Sequence, residues 1–130
     1  MELAVKLYYN TKIETPRCDL GRIFFLLDQL NEKGIEYQTI DTADYDEDSL
    51  SKLYIQAVMP AVWKHYRVRH IFGTRNRRGK FFGREQPALL VYKGNIEYPE
   101  DIYPHEKEGE KIPIEDYLEQ ILVEVEKQNP

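Results

Sequence analysis

From Gln86 to Asn95 the sequence is Gln-Pro-Ala-Leu-Leu-Val-Tyr-Lys-Gly-Asn, an apolar run between a proline and a glycine-containing turn. Four apolar residues in a row, Ala88 to Val91, predict a strand that is buried on both faces. A second short run, Ile96 to Tyr98, follows the turn, and the pair of runs predicts a hairpin. Because proline cannot donate to a sheet ladder, Pro87 belongs at the start of the strand. The surface that faces Gln86 and Pro87 is therefore a candidate site.

The first third of the chain predicts a strand, a helix and a second strand. Leu3, Val5 and Leu7 alternate with other residues in a strand pattern, and a loop follows. Between Cys18 and Gly34 the apolar residues recur at helical spacing, with Cys18 or Asp19 at the helix start and Gly34 at its end. Ile35 to Asp41 is the second strand. A strand, a helix and a strand in this order predict two parallel strands joined by a crossover.

The middle of the chain predicts a second helix and then a long loop. The acidic run Asp44–Asp48 suits a helix start, because carboxylates are stabilised at the positive end of the helix dipole. An apolar stripe continues to Tyr66, and Pro60 must kink or divide that helix. Residues 67–84 fit no regular element, and glycines punctuate them. A loop of this length in a compact domain is usually functional.

The end of the chain predicts a surface connection and a last helix. Pro99 to Lys111 is acidic and contains Pro104 and Gly109, which indicates a connection on the surface. Ile114 to Val125 then carries an amphipathic stripe, with Pro113 suited to the first helical turn. The predicted order is β-α-β-α-β-β-α, which makes an α/β domain with a mixed four-stranded sheet flanked by helices. We expect residues 1–130 to form one domain with a basic loop insertion around 67–86.

Composition predicts a soluble protein of a reducing compartment. The chain is 42% hydrophobic and 32% charged, as in ordinary globular proteins, and no apolar run approaches the roughly 18 residues of a membrane helix. Its first residues have no basic region before an apolar one, so we expect no signal peptide and a cytoplasmic location. Cys18 is the one cysteine, which excludes an internal disulfide.

Charge is distributed unevenly along the chain. The segment 64–84, here called the basic segment, has no acidic residue and eight basic ones, namely Lys64, Arg67, Arg69, Arg75, Arg77, Arg78, Lys80 and Arg84. The whole chain has 18 basic and 23 acidic residues, so the remainder has 10 basic and 23 acidic residues, a net charge of −13. A basic block inside an acidic protein indicates a local role.

Three interpretations of the basic segment stay open. Arg75, Arg77 and Arg78 suit a phosphate, a carboxylate ligand or an acidic protein, because guanidinium is a bidentate donor to such groups. Aromatic residues interleave with these charges, which is compatible with stacking on nucleic-acid bases. Alternatively, the aromatic residues anchor the loop and its charges offset an acidic surface.

Two stretches resemble a known family. Lys12 and the run Thr15-Pro16-Arg17-Cys18-Asp19-Leu20-Gly21-Arg22 are similar to the active-site segment of single-cysteine glutaredoxins, which carries a lysine, a proline and Cys-Gly-Phe-Ser. Gln86 to Tyr92 resembles the strand of that family that begins with a cis-proline. The order of elements resembles the thioredoxin fold over most of the chain.

The resemblance implies a fold, a chemistry and a set of residues. It implies a thioredoxin-like domain in which Cys18 is the thiol nucleophile and Lys12, Arg17, Gln86 and Pro87 bind the partner. It implies a protein thiol, a protein disulfide or glutathione as that partner. Pro87 would then be cis and would shape the groove, whereas a trans proline at a strand edge would have no such role.

The sequence also departs from the family. Gly21 stands where dithiol members have their second cysteine, so no dithiol cycle within the chain is available. The segment after the hairpin turn lacks the Gly-Gly and Asp that hold the carboxylates of glutathione in glutaredoxins. The basic segment has no counterpart in a minimal glutaredoxin. A non-catalytic binding module with the same fold is therefore the alternative function.

The chemistry of Cys18 has two interpretations. A helix N-terminus and Arg17 would both stabilise its thiolate, which lowers the pKa of a thiol and makes it reactive near neutral pH. Asp19 opposes this effect, because a nearby anion favours the neutral thiol. The alternative is an inert cysteine that packs as a small hydrophobic residue.

No metal site is predicted. His65, His70 and His105 show no ligand spacing with Cys18 or with one another. An intermolecular iron–sulfur centre through Cys18 stays open solely because of the family resemblance.

Overall fold

The structure is a computed structural model that describes residues 3–11, 19–43, 45–46, 48–49, 52, 74–75, 81–82, 87–94, 99–107 and 109–128. At 74–75, 81–82 and 105–107 it describes the backbone. The elements in chain order are β1 (Leu3–Tyr9), α1 (Leu20–Glu32), β2 (Glu36–Asp41), β3 (Thr74–Arg75), β4 (Phe81–Phe82), β5 (Ala88–Lys93), β6 (Asp101–Tyr103), β7 (His105–Lys107), β8 (Glu110–Ile112) and α2 (Ile114–Gln128).

The main sheet is four-stranded and mixed, as predicted. Its strand order is β2-β1-β5-β6. β1 and β2 are parallel, with Val5 opposite Tyr37. β5 is antiparallel to β1, with Val5 opposite Val91, and β6 is antiparallel to β5, with Leu90 opposite Ile102. The parallel first pair of strands is thus confirmed.

The prediction for β5 is confirmed in its burial. Every residue from Ala88 to Tyr92 is buried, because β5 has a strand on each side and is covered on both faces. Pro87 lies immediately before the strand and is half-buried. β5 is therefore an interior strand, and Pro87 immediately precedes it, as expected.

Both caps of α1 follow from the sequence. Asp19 is the N-cap, and its carboxylate accepts a hydrogen bond from the backbone N–H of Arg22 at 3.1 Å. At the other end, Gly34 has a φ of +94° and donates to the carbonyl of Asn31, while Ile35 donates to that of Leu30. These two bonds are a Schellman motif, and Leu30 and Ile35 share the core.

The two helices pack on one face of the sheet around a shared core. Alternate residues of the strands, among them Val5 and Leu89, contribute to it. The buried residues of α1 are Ile23, Leu26, Leu27 and Leu30, and those of α2 are Ile114, Tyr117, Leu118, Ile121 and Val125. Phe25 lies within the same apolar run but does not belong to the buried face of α1. It is 60% exposed, since its neighbours Phe24 and Leu26 already flank the core face.

The helix expected after β2 is described only at its beginning. Asp48, Ser49 and Lys52 are helical. The carboxylate of Asp46 accepts the backbone N–H of Ser49 at 2.7 Å, and this hydrogen bond lowers the pKa of Asp46. The acidic run therefore does begin a helix, while Pro60 and Tyr66 lie outside the described residues.

Two predicted loops contain short strands. In the basic segment, β3 and β4 form an antiparallel pair with Arg75 opposite Phe81, so residues 67–84 are not wholly irregular. The expected connection 99–111 contains β6 and the β7–β8 hairpin, with Glu106 opposite Lys111. Ile96–Tyr98, the predicted partner of β5, lies outside the described residues, and the strand that pairs with β5 is β6.

Candidate functional site

The candidate site lies at the edge of the main sheet where β1 ends, here called the carboxyl edge. Tyr9, the last residue of β1, is opposite Asp41, the last residue of β2. Tyr8 is opposite Ala88, the first residue of β5, so Pro87 also lies at this edge. Ligands of open α/β sheets commonly bind outside the carboxyl ends of parallel strands.

Helix α1 begins at the same edge, because it connects the end of β1 to the beginning of β2. Its N-cap Asp19 follows Cys18 directly in the sequence. The topology thus brings the start of α1 and the start of β5 to the same edge of the sheet. These are the two chain regions in which the sequence predicted a nucleophile and a groove-forming proline.

The first turn of α1 has room for a side chain at Gly21. A Cβ atom added there would lie 3.5 Å from Oδ1 of Asp19, which is an ordinary contact, and no other described atom outside the adjacent residues and the helix backbone lies within 4 Å. The space around position 21 therefore does not require a glycine there. A cysteine at position 21 would create a Cys-x-x-Cys sequence with Cys18.

Asp41 joins the ends of the two parallel strands. Its carboxylate accepts hydrogen bonds from the hydroxyl of Thr11 at 2.9 Å, from the backbone N–H of Thr11 at 3.3 Å and from that of Ala43 at 2.9 Å. The backbone N–H of Thr42 donates to the carbonyl of Tyr9 at 2.8 Å. These bonds fix the chain as it leaves β1 toward the segment that contains Cys18.

An aromatic pair holds α1 over the end of β1. The rings of Tyr9 and Phe24 meet edge to face, with centroids 5.3 Å apart and an interplanar angle of 82°. The helix is also linked to α2 by an ion pair between Arg22 and Glu119. Both partners are about half exposed, so the ion pair contributes little to stability.

A tyrosine pair lies where β6 reaches the same edge. Tyr103 is opposite Leu89, and its ring stacks on that of Tyr117 with centroids 3.9 Å apart. The hydroxyl of Tyr103 donates to Asp101 at 3.0 Å, whereas the buried hydroxyl of Tyr117 has no hydrogen-bond partner among the described residues. Burial is the main cause that raises the pKa of both phenols. The peptide bond between Tyr103 and Pro104 is cis.

The described residues include few of the predicted site residues. Pro87 is at the carboxyl edge, and Arg75 is in β3. Lys12, Arg17, Cys18, Gln86, Arg77 and Arg78 lie outside the described residues, as does one half of the peptide bond that precedes Pro87. The structure therefore supplies the frame of the predicted site, and the position of the thiol within it stays a prediction.

Sequence reasoning missed three residues that build this frame. Asp41, Tyr103 and Tyr117 were assigned no role, although an acidic residue that ends a strand beside a loop is a recognisable signal for Asp41. The pairing of Tyr103 with Tyr117 joins a strand to a helix through a tertiary contact. No local pattern could have indicated it.

Neither a metal site nor a membrane helix is found among the described residues. No group of three or more His, Cys, Asp or Glu side chains there is arranged to hold a metal ion. Within the same residues no helix is both long and apolar enough to span a bilayer.

Comparison with known proteins gives no relative. No protein-family model matches the chain, and no curated protein or solved structure matches it significantly.

Proposed function

We propose that the chain is a thioredoxin-like protein that carries out thiol–disulfide exchange through Cys18. The observation that supports this best is the sheet order β2-β1-β5-β6, with a parallel first pair of strands and two antiparallel strands after it. In this arrangement the start of α1 and Pro87 share the carboxyl edge, as the glutaredoxin-like interpretation requires. A single cysteine suits a reducing, cytoplasmic compartment.

The proposed reaction has two exchange steps. The Cys18 thiolate attacks one sulfur of a partner disulfide, which forms a mixed disulfide and releases the other sulfur as a thiolate. The thiolate of a second thiol, such as glutathione, then attacks the partner's sulfur in the mixed disulfide, forms a new disulfide with that sulfur and displaces Cys18 as a thiolate. An external thiol is needed because Gly21 replaces a resolving cysteine.

The residues around Cys18 have opposing effects on its thiolate. The N-terminus of α1 favours an anion, and Lys12 and Arg17 add positive charge or hold an anionic partner. The carboxylate of Asp19 opposes them, since it caps the helix and takes up the N–H of Arg22. Pro87 would shape the groove into which the partner's sulfur enters.

A disulfide-exchange assay tests this function. We expect the wild-type protein to reduce a glutathione mixed disulfide when glutathione is supplied, and Cys18→Ser to be inactive. If the protein is instead a non-catalytic binding module, Cys18→Ser should bind the partner as the wild type does. The proposal fails if Cys18 reacts with a thiol reagent no faster than free cysteine does at neutral pH.

Gly21→Cys provides a gain-of-function test of the same geometry. The first turn of α1 accepts a side chain at position 21, so mild oxidation should join Cys18 and the new cysteine within one chain. Thiol counting and non-reducing electrophoresis should show a monomer without free thiols. Gln29→Cys, two turns farther along α1, is the matched control and should keep two free thiols as a monomer.

A second candidate function is a binding module that uses the basic segment. The observation in its favour is the β3–β4 pair, which places Arg75 in a two-stranded ribbon, with Arg77, Arg78 and Lys80 in the connection between its strands. Such a ribbon presents cations to an acidic partner, an anionic ligand or nucleic acid. A labelled oligoglutamate peptide should bind at low salt, and Arg77→Glu with Arg78→Glu should abolish that binding.

A further inference from the structure

We propose that the acidic outer side of α1 and α2 binds the basic segment of a second copy of this chain. This inference rests on the second candidate function, for which it names the acidic partner. It is independent of the chemistry of Cys18. The outer helix face comprises Arg22, Phe25, Asp116, Glu119, Val123 and Glu126.

Two large apolar side chains lie exposed on this face. Phe25 is 60% exposed, and Val123 is 50% exposed. Phe25 follows Arg22 by three residues and Val123 follows Glu119 by four, so each lies one helical turn from the ion pair that joins the helices. Apolar side chains beside an interhelical contact are suited to the centre of a small interface.

The direction of the helices places these two side chains at the same level. α1 runs away from the carboxyl edge because it leads from the end of β1 to the beginning of β2. Tyr117, in the first turns of α2, stacks on Tyr103 at that edge, while Val125 is buried farther along the same core. Both helices therefore run in the same direction, and Phe25 and Val123 lie at a similar level, each one turn beyond the ion pair.

Negative charge surrounds this apolar centre. Asp116, Glu119, Val123 and Glu126 are spaced three or four residues apart, so they form one stripe of α2. The ion pair with Arg22 offsets the charge of Glu119. Over its length α2 has five acidic residues and one lysine, a net charge of −4.

The basic segment has the complementary chemistry. It has eight cationic residues and no acid, and Phe81 and Phe82 form β4 within it. A partner that combines cations with aromatic side chains suits an exposed Phe–Val pair between carboxylates. Every copy carries both surfaces, so the contact is heterologous and joins the copies head to tail.

Analytical ultracentrifugation tests the proposal with the full-length chain. At about 50 mM salt the weight-average mass should rise with protein concentration above that of the 15.5 kDa monomer. At about 500 mM salt the protein should be monomeric, because salt screens the contact between exposed charges. Phe25→Ser should weaken the association at least tenfold, as expected for an aromatic residue at an interface centre.

Charge-reversal variants identify the two surfaces. A face variant, Val123→Ser with Glu126→Lys, and a segment variant, Arg77→Glu with Arg78→Glu, should each be monomeric alone. An equimolar mixture should form a one-to-one heterodimer, because one intact face and one intact segment remain. Glu124→Lys is the matched control, since it makes the same charge change off the stripe and should associate as the wild type does.

Each outcome decides something. A wild-type protein that stays monomeric at low salt overturns the inference; if it still binds oligoglutamate, the second candidate function survives. If the wild-type protein neither self-associates nor binds oligoglutamate, both this inference and the second candidate function are wrong. If Glu124→Lys weakens association as much as the face variant does, the assigned surface is wrong. If the basic segment binds single-stranded RNA while the protein stays monomeric, the partner is nucleic acid instead.

Discussion

Asp19 has two effects that substitution can separate, since its carboxylate accepts a hydrogen bond and also carries a charge at the start of α1. The hydrogen bond runs from the backbone N–H of Arg22 at 3.1 Å. Asp19→Asn keeps an oxygen acceptor and removes the charge, whereas Asp19→Ala removes both. The residue before it is Cys18, so the same pair of variants also tests the proposed site.

The magnitudes follow from what each variant removes. Loss of an N-cap acceptor costs about 1 kcal/mol of folding free energy. Loss of a carboxylate from the positive end of a helix dipole costs about 0.5 kcal/mol. We therefore expect Asp19→Asn to lose about 0.5 kcal/mol and Asp19→Ala to lose about 1.5 kcal/mol.

Urea denaturation followed by circular dichroism measures these differences. Asp116→Asn is the matched control, because Asp116 lies in the first turn of α2 and its loss removes a charge alone. Its cost should equal that of Asp19→Asn. Alkylation of Cys18 should be faster in Asp19→Asn than in the wild type, because removal of the neighbouring anion favours the thiolate.

Two results would refute this reasoning. If Asp19→Ala and Asp19→Asn have the same urea midpoint, the capping hydrogen bond contributes nothing to stability. If both variants leave the alkylation rate of Cys18 unchanged, Asp19 does not act on the thiol, and the placement of Cys18 at the start of α1 loses its support.

Three further predictions concern the frame of the site. Tyr117→Phe should leave stability unchanged or raise it by up to about 1 kcal/mol, because it removes a buried hydroxyl that has no partner in the part of the chain that the structure describes. Tyr103→Phe should lose about 1 kcal/mol with its hydrogen bond to Asp101, and urea midpoints that fall equally in the two variants would contradict this. Asp41→Ala should lose about 1–2 kcal/mol of folding free energy. Hydrogen exchange should become faster at the backbone N–H groups of Thr11 and Ala43, which donate to the Asp41 carboxylate, and should not change in α2. Burial raises the pKa of Tyr92 from 10.0 to about 12, so the protonated phenol is favoured in the folded state. The free energy of unfolding should therefore fall as the pH rises from 10 toward 12. An ultraviolet titration in which every tyrosine ionises near pH 10 before unfolding would contradict this prediction.

Long periodic elements could be predicted from the sequence. β1, α1, β2, β5 and α2 were all expected close to their observed positions, because each combines a clear apolar period with a recognisable start or end. Asp19 and Gly34 are examples, since a carboxylate at a helix start and a glycine with positive φ at its end each have a local physical reason.

The short strands could not be predicted in the same way. β6 has three residues, and Pro99 and Pro104 on either side of it indicated a loop. β7 and β8 consist mainly of charged residues, so no apolar alternation marks them. Their positions depend on backbone pairing with a partner strand, which a local pattern does not contain.

The carboxyl edge could not be predicted as a surface from the sequence. Pro87 was selected on the geometry of its own strand, and Cys18 on its predicted position at a helix start together with the resemblance to glutaredoxins. The residues that build the carboxyl edge, such as Asp41 and Tyr103, contact partners that are distant in sequence or belong to other elements. Such contacts depend on the tertiary fold, which local sequence patterns do not specify.

The arrangement of β2, β1 and β5 has a consequence for how the chain could change. Asp41 ends β2 and Ala88 begins β5, and only β1 lies between these strands, so the two ends are roughly 10 Å apart at one edge. The chain between them leaves and re-enters the sheet at nearly the same place. For a flexible loop, doubling the length costs only about 0.6 kcal/mol of closure entropy. The basic segment lies within that connection, so a change in its length or charge need not alter the strand pairing.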